Sequence, residues 1–115
     1  MRLTDDMQAC ADLCTACSTT CLSEAMNHCL EAGGEHLEPK HFRLMMACAE
    51  ICRSAAAVML IGVPQHVFVC NACAEICRAC ADSCEKIGDM TECAKICRTC
   101  ARSCEEMSLS VQTAA

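Results

Sequence analysis

Small apolar residues recur along this chain at alternating intervals of three and four, with charged residues between them. The pattern is written four times: Ala9-Cys10-Ala11-Asp12-Leu13-Cys14, Ala47-Cys48-Ala49-Glu50-Ile51-Cys52, Ala72-Cys73-Ala74-Glu75-Ile76-Cys77 and Glu92-Cys93-Ala94-Lys95-Ile96-Cys97. Three of the runs continue in the same rhythm, to Cys17 and Cys21, Cys80 and Cys84, and Cys100 and Cys104. A three-four alternation is the inward seam of a coiled-coil-like bundle. Asp12, Glu50, Arg53, Glu75, Arg78, Lys95 and Arg98 fall off that seam, as solvated faces should.

The punctuation between the runs predicts four helices, at roughly 5–32, 39–61, 64–86 and 89–110. Thr4 suits the first N-cap, with Asp5 and Asp6 in the opening turn. Gly33-Gly34 ends that helix and Pro39 suits the first turn of the next. Gly62 then Pro64 repeat the stop-and-start order, and Gly88 closes the third helix. Asp89 followed by Glu92 reads as a capping box with Asp in place of Ser or Thr. The last two connections span only a few residues, so neighbouring helices run antiparallel. The predicted fold is all-α, an up-down-up-down four-helix bundle, with residues 1–115 forming one domain.

Aligned, the runs fall into registers. Cys10, Cys48, Cys73 and Cys93 share one; Cys14, Cys52, Cys77 and Cys97 the next. Cys17, Ala55, Cys80 and Cys100 form a third, and Cys21, Met59, Cys84 and Cys104 a fourth. One step earlier stand Met7, Met45, Cys70 and Met90. Fifteen of the sixteen cysteines sit on the seam. The exception is Cys29, off the strict heptad, which a straighter helix would still leave near the seam. With no Trp or Tyr and two Phe, the core must be thiol, Ala, Met and aliphatic.

The formal net charge of -6 argues against a nucleic-acid partner and against an anionic membrane surface. Met1-Arg2-Leu3-Thr4-Asp5-Asp6 has no apolar run behind its single Arg and does not read as an export signal. The longest apolar stretch, 55–63, is too short to span a bilayer. A cytoplasmic protein is expected. A disulfide framework is disfavoured, because cysteines three and four apart on one helix would bridge only locally and under strain.

A thiol seam can serve passive packing, an iron–sulfur cluster, zinc or Cu(I). Leu packs a bundle better than Cys and does not oxidise. The ferredoxin spacing is C-x2-C-x2-C-x3-C-P on loops, whereas this chain has C-x3-C-x2-C-x3-C on helices. A four-thiolate zinc site carries a charge of about -2, costly among Ala and Ile without donors, so zinc is read as an adventitious guest. Cu(I) is soft, prefers thiolate and accepts two or three ligands. Residues four apart on a helix have Cβ atoms ~6 Å apart, so seven C-x3-C pairs can each clasp an ion. They are Cys10/Cys14, Cys17/Cys21, Cys48/Cys52, Cys73/Cys77, Cys80/Cys84, Cys93/Cys97 and Cys100/Cys104. Sulfurs bridging neighbouring ions would bring the core toward neutrality, and a capacity nearer to sixteen ions than to eight follows.

On these inward C-x3-C and C-x2-C runs, the chain resembles the bacterial four-helix-bundle copper storage proteins, in particular their signal-less cytosolic branch. The resemblance implies rows of Cu(I) bound by cysteines inside each bundle, and association of bundles as homo-oligomers, commonly tetramers. The sequence departs from the pattern at Ala55 and Met59, where the row is expected to be thinnest.

Ions must enter at an end. One end of the bundle gathers Met7, Met59, His66, Cys70 and Met107; the other gathers Met26, His28, Cys29, His41, Met45 and Met90. Of these, His28 and His41 as a pair, with Met45, Met90, Met59 and His66, are candidate entry ligands. His36, in the glycine-flanked loop, reads as exposed. The rival functions are a zinc-binding protein, a thiol redox or sensing protein, and a chaperone. Redox sensing needs exposed, low-pKa cysteines with basic neighbours, and a chaperone needs one exposed pair. No catalytic constellation is visible, so a metal store rather than an enzyme is expected.

Overall fold

A computed structural model describes residues 3–114. Met1 and Arg2, part of the opening read as no export signal, lie outside the described residues. Four long helical staves pack in a ring, first on second, second on third, third on fourth and fourth on first, giving the antiparallel up-down-up-down bundle. It is slender, 47 × 19 × 19 Å.

The first stave begins as an α-helix over Asp5–Ser23, widens to a π-helix over Glu24–Cys29 and ends in a short α turn, Leu30–Ala32. Thr4 caps it: its Oγ1 accepts from Met7 N at 3.1 Å. The π turn corrects the expectation for Cys29. A straight α-helix is not what carries Cys29 inward. The wider turn takes up an extra residue, so that Cys21, Ala25 and Cys29, four apart, all face the core with no exposed surface.

A 3₁₀ turn at Gly34–Leu37 leads to the second helix, Pro39–Ile61. Its N-cap is Glu38, which the sequence did not mark. The Glu38 carboxylate accepts from Lys40 N and His41 N, each at 3.1 Å, and these bonds hold its carboxyl below the usual range. Counting Cys and Ala as apolar, this helix has mean hydropathy 1.8 over an 18-residue window, long and apolar enough to cross a membrane by composition. The 55–63 stretch understated it. Here His41, Met45, Cys48, Cys52, Ala55 and Met59 turn that apolar face into the bundle.

Gly62 ends the second helix at φ 89, where a side chain would be strained. The third helix runs His66–Ile87 and the fourth Thr91–Ala114. The capping box expected at Asp89 does not form. Asp89 stands two residues ahead of the helix with φ 56, and its carboxylate turns instead to His28, 3.4 Å from Nε2. Asp tolerates this left-handed conformation better than most residues.

What brings the staves together is the residue after the cysteine. Ala11, Ala49, Ala74, Ala81, Ala94 and Ala101 each follow a seam cysteine, and each is buried. A methyl group there lets neighbouring helices approach closely; a longer side chain would push them apart. Ser18 uses the space, its Oγ donating to Ala49 O across the first and second helices at 2.7 Å. Outside, Arg78 joins Glu105 at 2.5 Å, and Arg98 reaches Asp82 at 2.5 Å and Glu85 at 2.7 Å, tying the third helix to the fourth. Exposed pairs of this kind add little stability.

Ala81→Leu therefore overpacks the interface and should lower the stability of the metal-free protein by about 1–3 kcal/mol in a urea melt. Ala57→Leu, on an exposed position, should stay within about 0.5 kcal/mol of the parent. Equal losses in both variants would count against the close-approach argument.

Candidate metal centre

All sixteen cysteines are buried and unbridged. Their sulfurs form a continuous file along the bundle axis. At one end Cys10 lies 3.9 Å from Cys104, and Cys14 lies 3.4 Å from Cys104 and 3.6 Å from Cys100. Cys52 follows, 3.6 Å from Cys73, 3.5 Å from Cys77 and 4.0 Å from Cys100. Cys48 meets Cys77 and Cys97 at 3.7 Å each. Cys21 then contacts Cys93 and Cys97, both at 3.5 Å, and Cys48 at 3.7 Å.

These approaches qualify the single-helix clasp. The same-helix pairs Cys48/Cys52 and Cys73/Cys77 stand at 4.0 and 3.8 Å, but the shortest approaches, 3.4–3.6 Å, run between helices. A metal–sulfur bond of about 2.3 Å, the zinc–thiolate value, sets two sulfurs ~4.0 Å apart in a trigonal site and ~4.6 Å apart in a linear one. Both kinds of pair lie within small shifts of that span.

Four sets of sulfurs are gathered so that all members lie within 4.8 Å: Cys14/Cys73/Cys100/Cys104, Cys17/Cys52/Cys77/Cys100, Cys17/Cys21/Cys48/Cys97 and Cys21/Cys80/Cys93/Cys97. Cys17, Cys21, Cys97 and Cys100 each belong to two sets, so the sets overlap. The first set also answers the expected thinning at Ala55 and Met59. Both residues are fully buried, and the second helix contributes no thiol to that set. Cys104 and Cys100 of the fourth helix close the set against Cys14 and Cys73.

Along the file, neighbouring thiols share protons. Cys14 is pushed up first by its hydrogen bond to Cys10, and Cys10 is pulled down by hydrogen bonds from Cys104 and then Cys14. Cys29, apart from these chains, is pushed up to about 11 by burial. Arg53, Arg78 and Arg98 are engaged with surface carboxylates and lend the file no cation. The metal-free core is thus one of coupled, hydrogen-bonded thiols, in which each bond holds one partner's proton more tightly and the other's more loosely.

The candidate entry ligands separate. Met45 is not at a rim: it is fully buried, with Sδ 3.6 Å from Cys80, 3.5 Å from Cys84 and 3.6 Å from Cys93. It extends the file by a thioether. Beyond it, Cys29 Sγ lies 3.9 Å from both Met90 Sδ and His41 Nε2. His41 Nδ1 lies 2.7 Å from Ser83 Oγ, a partner to which neither periodicity nor spacing points. Burial lowers the His41 pKa, which keeps the ring neutral and its second nitrogen able to face the thiol.

His28 and His41 are not a pair. His28 packs edge-on against His36, ring centroids 4.9 Å apart, and faces Asp89. His36 is accordingly half-buried rather than exposed. Met26 points outward. At the opposite end His66 is fully buried. Its Nδ1–H donates to Val63 O at 2.8 Å, which leaves the Nε2 lone pair unpartnered in the interior. Met59 is buried at that end too.

The family model described as copper storage protein matches residues 1–109. The crystal structure of the protein Nmul_A1745 from Nitrosospira multiformis is 55% identical, covers 91% of this chain and 97% of its own, and superposes with a TM-score of 0.89. A structure described as the Cu(I)-bound copper storage protein BsCsp3 is 35% identical over 90% of this chain and 99% of its own, with a TM-score of 0.82. An uncharacterised cysteine-rich protein of Bacillus subtilis, YhjQ, is 35% identical over 79 residues, 69% of this chain and 72% of that protein.

Burial of every thiol has a direct readout. In the reduced, metal-free protein a bulky disulfide reagent should label the cysteines far more slowly than free cysteine, and all sixteen rapidly once guanidinium is added. A fast native phase of several thiols would contradict the packed file.

Proposed function

Because the chain belongs to the copper storage protein family, we propose that it binds and stores multiple Cu(I) ions on the thiolates of its core. The single observation that carries this reading is the unbroken file of sulfurs with shared members. Isolated sites need private ligands; a file with common ligands suits many soft monovalent ions at close to one per thiolate. Each Cu(I) neutralises one thiolate. A divalent ion held by four thiolates would leave about two negative charges in an Ala- and Ile-lined interior without donors. That difference favours copper over zinc as the cargo.

The proposed ligands are Cys10, Cys14, Cys17, Cys21, Cys29, Cys48, Cys52, Cys70, Cys73, Cys77, Cys80, Cys84, Cys93, Cys97, Cys100 and Cys104. Met45 serves inside the file. The protein acts as a binding protein rather than an enzyme. Sixteen free thiols persist best in a reducing compartment, which supports a cytoplasmic location. Ile61 and Phe68, 73% and 70% exposed, support self-association. Entry is assigned to the end where Met90 stands. Met90 lines surface clefts on two sides and also contacts Cys29, so it bridges solvent and file.

Anaerobic titration of Cu(I) into the reduced protein should saturate nearer to sixteen than to eight equivalents. Protons should be released as thiolates form, since Cys29 for one stays protonated at any pH below about 11 until a metal displaces the proton. Saturation at four or fewer overturns the storage reading. For the entry path, Met90→Leu should slow loading several-fold while leaving capacity unchanged, and Met59→Leu should leave the rate as it was. Unaltered loading in Met90→Leu, or slowing only in Met59→Leu, would move the entrance to the other end.

A further inference from the structure

A second cluster of metal-binding side chains stands outside the thiol file, at the same end of the bundle. It is assembled from three separate segments: His28 from the π turn, His36 from the 3₁₀ turn and Asp89 from the left-handed residue between the third and fourth helices. One ring nitrogen of each histidine and one Asp89 carboxylate oxygen all lie within 4.8 Å of one another. His28 Nε2 is 3.4 Å from Asp89 Oδ2. A tetrahedral zinc site with bonds of about 2.0–2.1 Å has ligand atoms ~3.3–3.4 Å apart, so one edge is already in place and the others must close by at most about 1.5 Å.

The polar accounting points the same way. The Nε2 atoms of both His28 and His36 are buried and make no hydrogen bond. The His28–Asp89 approach is close in distance but not aligned as a hydrogen bond. A plain ion pair would account for His28 and leave His36 Nε2 orphaned, at a cost. A shared ion satisfies both nitrogens and the carboxylate together. The local field suits a dication, because Glu24 and Glu92 line the same cleft as His28 and Asp89. The donor set is imidazole and carboxylate with no sulfur, so it selects a borderline divalent ion over Cu(I).

We propose that His28, His36 and Asp89 form a three-ligand site for a divalent d-block ion of the Zn(II) class, with a fourth position open to water. It is a site distinct from the thiol file and needs none of its cysteines. Filled, it ties the end of the first helix to the turn that carries Met90.

The test uses the full chain loaded to saturation with Cu(I), so that thiolates do not compete, with the copper content measured on the same sample. Zn(II) is added and its affinity read by competition with a chromophoric chelator. One Zn(II) per chain is expected. His36→Ala and His28→Ala should each weaken it at least ~10-fold, and Asp89→Asn should weaken it by a smaller factor, all with unchanged Cu(I) capacity. His36 lies in a surface turn, so its replacement leaves the bundle intact. Absence of Zn(II) binding, or binding that His36→Ala leaves undiminished, overturns the site. Low copper content alone would instead count against the storage reading.

Discussion

Every sulfur contact between helices in this bundle depends on how closely two staves can approach, and that distance is set by methyl groups. The alanine after each of six seam cysteines is buried where neighbouring staves meet. Cysteine side chains are short. With Leu-sized neighbours their sulfurs would be held apart by the larger side chains, and the file would break into pairs confined to single helices. Close approach instead makes the shortest sulfur contacts inter-helical, down to 3.4 Å. The cost is a lean core. Ala and Cys bury less apolar area than Leu or Ile, at roughly 25 cal/mol per Å². Binding only to the folded chain, the cargo itself then adds to stability. Structure and load are linked through one geometric constraint.

The same constraint shapes the ends. A uniform α-helix would lose the seam after Cys21, because four-residue steps outrun its period. The π turn restores phase for one further thiol, Cys29, and in doing so sets His28 at the edge of the mouth. Asp89 gives up a capping role and takes a left-handed backbone, and its carboxylate meets that histidine. Local irregularity and metal-ligating chemistry therefore coincide at this end, while the body of the bundle stays regular. At the other end the only comparable feature described is His66, its Nε2 lone pair turned inward without a partner.

How much of this was legible in the sequence follows from what kind of information each feature needs. Periodicity and punctuation are local, so the four staves, the Thr4 cap and the inward cysteines could be read directly. The alanines were visible in the repeated motif, but their role emerges only when helices are set side by side. Met45 shares its register with Met7 and Met90, which suggests a rim; helix offset puts it among Cys80, Cys84 and Cys93 instead. His28 and His41 look like neighbours when only bundle ends are counted. The π turn carries Cys29 inward toward His41 and leaves His28 facing His36 and Asp89, and a π turn has no sequence signature comparable to a cap. Ser83 and His36 gain their meaning wholly from partners distant along the chain.

The overlap of sulfur sets has a consequence for how such a protein can change in size. Because Cys17, Cys21, Cys97 and Cys100 are each held in common, no ion owns its ligands, and the number stored is a property of the file rather than of any cysteine pair. Lengthening each helix by one turn, about 5.4 Å, would add a layer without a new site having to be invented. Capacity in this architecture scales with length, as it does in a tube.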